Sequence, residues 1–519
     1  MHLDDVVESS RRVAETSARL EKVAALATLL RRLQPEEVPI AVAFLTGEPR
    51  QGRIGIGPAK IRAAFPDAAA DEPSLAILEV DAALERIASA SGSGSAAERG
   101  RLLHELLARC TREEQEFVVR LVLGELRQGA LEGVMVEAIA RAGDVPASVV
   151  RRALMFSGAL PEVATAALSE GREGLAGFAI QLFRPVQPML AGTAEEVGEA
   201  LDRFEIAELE YKLDGARVQV HRAGDDIRVY TRRLNDVTAA VPELVEGVRA
   251  LPVREIILDG ETLAFGDDGV PHPFQLTMSR FGRKLDVERL RQELPLDAFY
   301  FDLLYLDGAG LTDLPARERV DALAEVLPPG LLIPRTVTGD PEEARVFLQR
   351  ALAAGHEGII AKALDAPYEA GRRGKSWLKL KPAHTLDLVV LAAEWGSGRR
   401  RGWLSNLHLG ARDPAGGAFV MLGKTFKGMT DEILAWQTRR LQELAISRDS
   451  YTVYVRPELV AEIAFDAVQM SPKYPAGVTL RFARLKRYRP DKSAAEADTI
   501  ETVRAIYDPP DLSPPRRRA

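Results

Sequence analysis

Cysteine is almost absent from this chain. One residue, Cys110, stands among 519, which excludes an intramolecular disulfide and any zinc site built on several thiolates. No apolar run approaches the ~20 residues that a membrane-spanning helix needs. Met1-His2-Leu3-Asp4-Asp5 lacks the basic-then-apolar order of a secretory signal. A cytoplasmic protein without a membrane partner is therefore expected. The seven histidines do not fall at metal-ligand spacing, and no fixed-period repeat points to a solenoid. Gly308-Ala309-Gly310 lacks the strand–turn–helix setting of a dinucleotide fingerprint. Positive charge is also in deficit, with a net of −8. That weighs only weakly against nucleic acid, because binding follows local patches rather than the total.

What is present is ordinary globular material, 46% hydrophobic and 28% charged, long enough for about three domains. Residues 1–184 read as helical: Leu20, Val23, Ala24, Leu26, Leu29, Leu30 and Leu33 recur near helical spacing. Thr111-Arg112-Glu113-Glu114 has the form of a capping box, and Ser91-Gly92-Ser93-Gly94-Ser95 reads as a flexible connection between helices. The prolines of Phe183-Arg184-Pro185-Val186-Gln187-Pro188 mark a change to mixed strands and helices over 185–383. After Pro382-Ala383-His384 a strand-rich segment, 384–507, opens with Leu386-Asp387-Leu388-Val389-Val390-Leu391. Residues 508–519, proline- and arginine-rich, read as a disordered basic tail.

The segment richest in chemistry is Glu210-Tyr211-Lys212-Leu213-Asp214-Gly215-Ala216-Arg217-Val218-Gln219-Val220-His221. Asp214-Gly215 between two alternating runs predicts a hairpin. Period two then puts Glu210 with Lys212, and Arg217 with Gln219 and His221, on polar faces, while Val218 and Val220 point to a core. On this segment alone a surface hairpin with solvated charges is the stronger reading; a lysine held there is also a candidate nucleophile. An amine attacks phosphorus only when neutral, and at an ordinary pKa of ~10.4 only about one lysine in a thousand is neutral near pH 7.4. Nearby cations and partial burial increase that fraction.

Other segments supply suitable partners. In Arg372-Arg373-Gly374-Lys375-Ser376-Trp377-Leu378-Lys379-Leu380-Lys381-Pro382, strand alternation groups Trp377, Lys379 and Lys381 against a core face of Leu378 and Leu380. The two ammoniums are either a phosphate site or the strand's wet side. Glu261, closing Ile256-Ile257-Leu258-Asp259-Gly260-Glu261, and Glu357, opening Glu357-Gly358-Ile359-Ile360-Ala361-Lys362, are candidates for a divalent metal or ribose hydroxyls. Mg²⁺ favours few carboxylates plus phosphates and water. Phe299-Tyr300-Phe301-Asp302-Leu303-Leu304-Tyr305-Leu306-Asp307-Gly308 is an apolar strand ending in a turn. Arg481 to Lys492 carries six cations and one acid, with Phe482 and Tyr488 interleaved, either a nucleic-acid strip or a charged edge with no ligand.

In this order, these segments resemble the motifs of the covalent nucleotidyltransferases: ATP-dependent DNA ligases, RNA ligases and mRNA capping enzymes. Gly124-Glu125-Leu126-Arg127-Gln128-Gly129-Ala130 and Phe156-Ser157-Gly158-Ala159-Leu160-Pro161-Glu162-Val163-Ala164 also resemble DNA ligase, where capping enzymes and RNA ligases generally have no such N-terminal module. The resemblance implies a multidomain fold: an all-α DNA-binding domain (1–184), an α+β adenylation domain (185–383) and a C-terminal β-barrel OB-fold (384–507). It implies Lys212 as the residue adenylated by ATP, and Glu210 as the carboxylate that accepts from the adenine amino group. Phe301 would stack on the base. Arg217, Arg232, Arg373, Lys379 and Lys381 would bind the nucleotide or phosphates, Lys362 would lie near the phosphates, and Glu261 and Glu357 would hold Mg²⁺, with Mn²⁺ as the alternative. Glu261 would contact the nucleotide as well. Nicked double-stranded DNA is the implied partner of a monomer, nucleoid-associated in a prokaryote and serving replication, repair or recombination. An RNA-capping or RNA-ligating enzyme and a catalytically silent nick-binding protein are the alternatives. An NAD-dependent ligase is disfavoured, since its four-cysteine zinc site cannot be built from Cys110 alone.

Overall fold

The structure, a computed structural model, describes all residues except 53, 127–131, 273, 282–285, 371–372, 382–383 and 507–519, and for 373–375 the backbone alone. The tail expected at 508–519 and part of the Gly124–Ala130 motif lie outside the described residues. Two compact units meet in sequence between Lys379 and Leu380.

The first unit begins with helices, running from Leu3–Glu15 to Gly171–Ala176. Their apolar stripes form one core, in which Val23, Leu26, Leu29 and Leu30 of helix Arg19–Leu30 sit beside Phe44, Leu84 and Met135. Leu20, expected on that stripe, is instead 76% exposed at the helix start. The capping box at Thr111 is present: its hydroxyl accepts from the Glu114 amide at 3.4 Å, and the Glu114 carboxylate accepts from the Thr111 amide at 2.8 Å. The Ser91–Ser95 connection joins helices Ile77–Ser89 and Ser95–Ala108.

Two five-stranded sheets follow. Their strands are β1 (Leu190–Ala194), β2 (Ala207–Lys212), β3 (Ala216–Ala223), β4 (Asp226–Thr231), β5 (Glu255–Leu263), β6 (Asp297–Leu306), β7 (Ala309–Gly310), β8 (Arg335–Thr338), β9 (Gly358–Ala363) and β10 (Arg373–Leu380). One sheet has the order β1-β10-β9-β2-β8 and the other β4-β3-β5-β6-β7. Val218 and Val220 enter the core beneath the second sheet, as alternation predicts, with Leu258, Leu303 and Leu323. A further cluster takes Ile257, Leu263, Phe301 and Leu304 from that sheet and Trp377 from the other, and so packs the two sheets together.

This topology corrects the hairpin reading. The strands on either side of Asp214-Gly215 do not pair with each other; β2 pairs with β8 and β9, whereas β3 pairs with β4 and β5. Gly215 is not at positive φ, so the type I′ turn that makes Asp-Gly a hairpin signal is not formed. Its glycine serves close approach instead. A Cβ there would stand 2.3 Å from the Thr262 carbonyl oxygen on β5 and 3.0 Å from Glu261 Cγ. Gly215→Ala is expected to destabilise the protein by about 1–3 kcal/mol as an overpacking change, read as a lower urea midpoint at unchanged slope.

The second unit is sheet-rich. Its strands are β11 (His384–Trp395), β12 (Leu404–Arg412), β13 (Phe419–Thr425), β14 (Ala445–Arg448), β15 (Thr452–Val455), β16 (Val460–Phe465), β17 (Ala467–Met470), β18 (Val478–Arg481) and β19 (Arg484–Tyr488). Five run β13-β12-β11-β15-β14, with β16 joining β11 to β19, and β17 pairs β18 apart. β11 serves two neighbours along one edge, β16 at His384–Val389 and β15 at Ala392–Glu394, and its register shifts between Val390 and Ala392. Among the described residues the paired strands do not close into a ring. Helix Asp431–Glu443, capped by the Thr430 hydroxyl, adds Leu434 and Leu441 to the core. No helix among the described residues is long and apolar enough to cross a membrane.

Candidate active site

Lys212 is the last residue of β2, at the seam where the chain leaves one sheet for the other. Alternation sets Glu208, Glu210 and Lys212 on one face of that strand, while Tyr211 turns away to pack on Phe347 and His356. β9 runs alongside, with Lys212 opposite Gly358 and Glu208 opposite Lys362. The Glu357 amide donates to the Lys212 carbonyl at 3.1 Å, and the Glu357 carboxylate pairs with the Lys212 ammonium. The nucleophile candidate and one metal candidate thus meet through both backbone and side chain.

Glu261 approaches from the other sheet, opposite Arg217 in the β3–β5 register. Burial pushes its carboxyl up to about 8. The charges of Lys212 and Arg217 pull the other way, and Asp259 and Asp214 add to the rise. A half-buried carboxyl so incompletely neutralised is suited to a divalent cation, and two carboxylates offer the hard oxygen donors that Mg²⁺ takes.

Deeper along the β2 face lies a second cluster. Lys362, expected near phosphates, is 1% exposed and donates to Glu210 Oε1 at 2.7 Å and to the Phe301 carbonyl at 3.0 Å. Its ammonium stands 5.0 Å from the Phe301 ring centre and 4.6 Å from that of Trp377. Phe301 and Trp377 meet edge to face at 5.9 Å. Trp377, grouped by alternation with Lys379 and Lys381 on the face opposite Leu378 and Leu380, is itself buried. The structure therefore brings Glu210, Phe301 and Lys362 together, and separately Lys212, Glu261 and Glu357.

The polar face of β3 is real, but its partners are largely the chain's own backbone. His221 accepts from the Phe183 amide through Nδ1 at 2.9 Å and faces Gln219 Oε1 through Nε2 at 2.8 Å. Burial pushes this imidazole down to about 3, in keeping with a neutral ring. Gln219 exchanges two hydrogen bonds with the Val186 backbone. Arg217 donates to the Met189 carbonyl at 2.7 Å and forms a bidentate pair with Asp259 at 3.0 and 2.6 Å. These side chains clamp residues 183–189, the stretch that leads from the helices into β1.

Two members of this site carry no prior assignment. Asp259, 1% exposed, takes Arg217 and also the Tyr368 hydroxyl, which donates at 2.7 Å while accepting from the Met189 amide at 3.0 Å. The available signal for Asp259 was its place two residues before Glu261, on the same strand face. Tyr368 lies in a loop and gave none. Tyr368→Phe leaves the Met189 amide and part of Asp259 unsatisfied, an expected loss of about 1–3 kcal/mol, measurable by chemical denaturation.

The remaining candidates are spread out. Arg232 is exposed in the turn after β4 and borders a shallow crevice with Arg217 and Asp259. Arg373 opens β10, with its side chain outside the described residues. Lys379 ends the first unit. Lys381 belongs to the second, where it pairs with Asp466 at 3.3 Å. In the Arg481–Lys492 motif, Arg484 pairs with Asp466, Arg487 with Glu462, and Arg489 and Lys492 with Asp387. Tyr488 is turned inward, its hydroxyl donating to Gln437, while Phe482 stays exposed beside Lys427 and Arg481. Most of the expected strip is therefore engaged with acids of its own unit.

Comparison with known proteins gives a consistent family. Models described as the ATP dependent DNA ligase domain, the ATP dependent DNA ligase C terminal region and the DNA ligase N terminus match residues 188–381, 400–492 and 62–140. The chain is 61% identical to a "Probable DNA ligase" of Anaeromyxobacter sp. (strain Fw109-5), covering 98% of each chain. It is 59% identical to a "Probable DNA ligase" of Sorangium cellulosum (strain So ce56), covering 98% of this chain and 95% of that one. A solved structure described as Pmar-Lig_Pre shares the fold, with a TM-score of 0.61 at 17% identity over 93% of this chain and 99% of that one.

Proposed function

The chain belongs to the ATP-dependent DNA ligases, and from that membership we propose which residues carry each step of nick sealing. In the first step Lys212 Nζ, released from its ion pair with Glu357 and neutral after giving its proton to solvent, attacks the α-phosphorus of ATP. An N–P bond forms, the bond to the bridging oxygen breaks and pyrophosphate departs. In the second, a 5′-phosphate oxygen at the nick attacks the lysyl-adenylate, and the N–P bond breaks to restore the amine. In the third, the 3′-hydroxyl oxygen gives its proton to solvent and attacks the nick phosphorus; a phosphodiester bond forms, the anhydride bond breaks and AMP leaves.

Glu210 reads the adenine amino group, Phe301 packs against the base, and Arg217, Arg232, Arg373, Lys379 and Lys381 offset phosphate charge as it develops. Glu261 and Glu357 would hold Mg²⁺, or Mn²⁺, which would neutralise phosphate oxygens. The domains are 1–184 for DNA, 185–383 for adenylation and 384–507 as an OB-fold. The ligase acts on nicked duplex DNA as a cytoplasmic, nucleoid-associated monomer. The observation that carries this reading is the Lys212–Glu357 ion pair, with Glu261 close enough to feel the same ammonium.

The test is incubation with Mg²⁺ and ATP labelled at the α- or γ-phosphate, beside labelled GTP and NAD, followed by denaturing separation and a nick-sealing assay. A protein-bound label from α-labelled ATP alone, with sealing, is the expected result. A GTP adduct would instead favour a capping enzyme, and nick binding without any adduct a silent binder.

A further inference from the structure

β8 is the last strand of its sheet, and among the described residues no strand pairs with its outer edge. Just before it, the Tyr211 amide donates to the Pro334 carbonyl at 3.1 Å. Bonded positions alternate along an antiparallel ladder, so Thr336 and Thr338 turn their backbone groups to β2, and Arg335 and Val337 turn theirs outward. Such an edge is a template for one more strand.

The two sides of that edge differ. On the face shared with Glu208, Val337 is 52% exposed, and Ile206, whose Cγ1 would lie 3.3 Å from a Cβ on Gly339, is 53% exposed. On the other side a crevice of about 410 Å³ opens between β8 and helix Pro341–Ala353, with Arg335, Thr336, Val346, Phe347 and Arg350 around it. The acids in its wall are engaged: Glu342 pairs with Arg345, and Glu343 accepts from the Thr338 hydroxyl at 2.6 Å. Among the described residues no acid pairs with Arg335 or Arg350. Phe347 packs on Tyr211, whose side chain points away from that of Lys212, so the crevice lies behind the sheet that carries Lys212.

We propose that the open edge of β8 docks an extended segment of a partner protein in which acidic and apolar residues alternate. The residues opposite Arg335 and Val337 exchange ladder bonds with them and lay apolar side chains beside Val337 and Ile206. The residues between turn their carboxylates to Arg350 and Arg335 across the crevice. Charge complementarity selects this occupant, because two guanidiniums without acids of their own attract carboxylates. The exposed valine and isoleucine give a small inorganic anion nothing to bury. Duplex DNA is the other polyanion at hand, but sealing at Lys212 puts it on the opposite face of the sheet. Four residues of strand offer few ladder bonds, which keeps the affinity modest.

The test titrates the full chain with a labelled, capped octapeptide alternating glutamate and valine. Saturable binding is expected below about 1 mM, weakening as salt rises. Arg350→Glu should weaken it about fivefold or more. Val337→Pro removes an outward N–H that the native ladder does not use, and should weaken it about tenfold. Both variants should seal nicks at the wild-type rate without peptide. Peptide chemistry tests the ladder even if Val337→Pro fails to fold. Methyl groups on the valine nitrogens, which face β8, should cost about tenfold in affinity, whereas methyl groups on the glutamate nitrogens should cost little. Hydrogen exchange should slow at the Val337 amide in the complex. No saturation by about 1 mM overturns the proposal. So do equal binding by Arg350→Glu, equal binding of the two methylated peptides, and slowed exchange confined to other strands. Displacement of the peptide by nicked duplex would assign these arginines to DNA and overturn it as well.

Discussion

Lys212→Ala will lose protein–AMP formation by about 10⁵-fold or more, the scale seen when a nucleophile is removed from a group that acts as a unit. The fold should survive, because Lys212 is the last residue of its strand and its side chain is partly exposed. Lys212→Arg will be as inactive, since a guanidinium keeps the charge but cannot become a neutral nucleophile. A pre-adenylated nick supplied to either variant should still be sealed, because the last displacement makes no bond to this lysine. The readouts are denaturing-gel label retention and sealing of the pre-adenylated substrate. An adduct of wild-type intensity in Lys212→Ala would remove Lys212 from the mechanism.

Glu261→Gln will move activity and stability in opposite directions. Removing a carboxyl proposed to hold the metal at the transferring phosphate should slow adenylate formation by about 10²–10³-fold. Stability follows from linkage. The folded carboxyl holds its proton up to about 8, whereas an unfolded glutamate releases it near ~4.3. Between those values the folded state binds more protons, so stability falls as pH rises from ~4.3 through about 8 and then levels off. The glutamine, which never ionises, removes that slope. Thermal melts should show the variant gaining on the wild type as pH rises from about 5 to about 9. Parallel melting curves would mean that Glu261 is not a raised buried carboxyl.

Much of this was legible in residue order. The helices, the capping box at Thr111, the inward Val218 and Val220, and the strand carrying Phe301 all follow from periodicity and capping chemistry. The site residues were legible mainly as motif order, since the pairing of Lys212 with Glu357 and of Lys362 with Glu210 joins strands far apart in sequence. Asp214-Gly215 misled because a dipeptide reports local backbone preference, and the two strands it joins find better partners elsewhere. Tyr368 stayed silent for a related reason. It matters through long-range bonds, to Asp259 and from the Met189 amide, and no local spacing encodes such contacts.

The seam at Lys212 has a mechanical consequence. Only Leu213, Asp214 and Gly215 separate β2 of one sheet from β3 of the other, and the two sheets also meet through packed side chains. A nucleotide bonded to Lys212 on one sheet and resting against Glu261 and Phe301 of the other would rivet the two together. The loaded enzyme should then be a stiffer object than the empty one, with amide hydrogens of β2 and β5 exchanging more slowly in concert. Passing AMP to DNA would remove the rivet, so the same bond that stores chemical potential would also time when the two sheets are free to loosen.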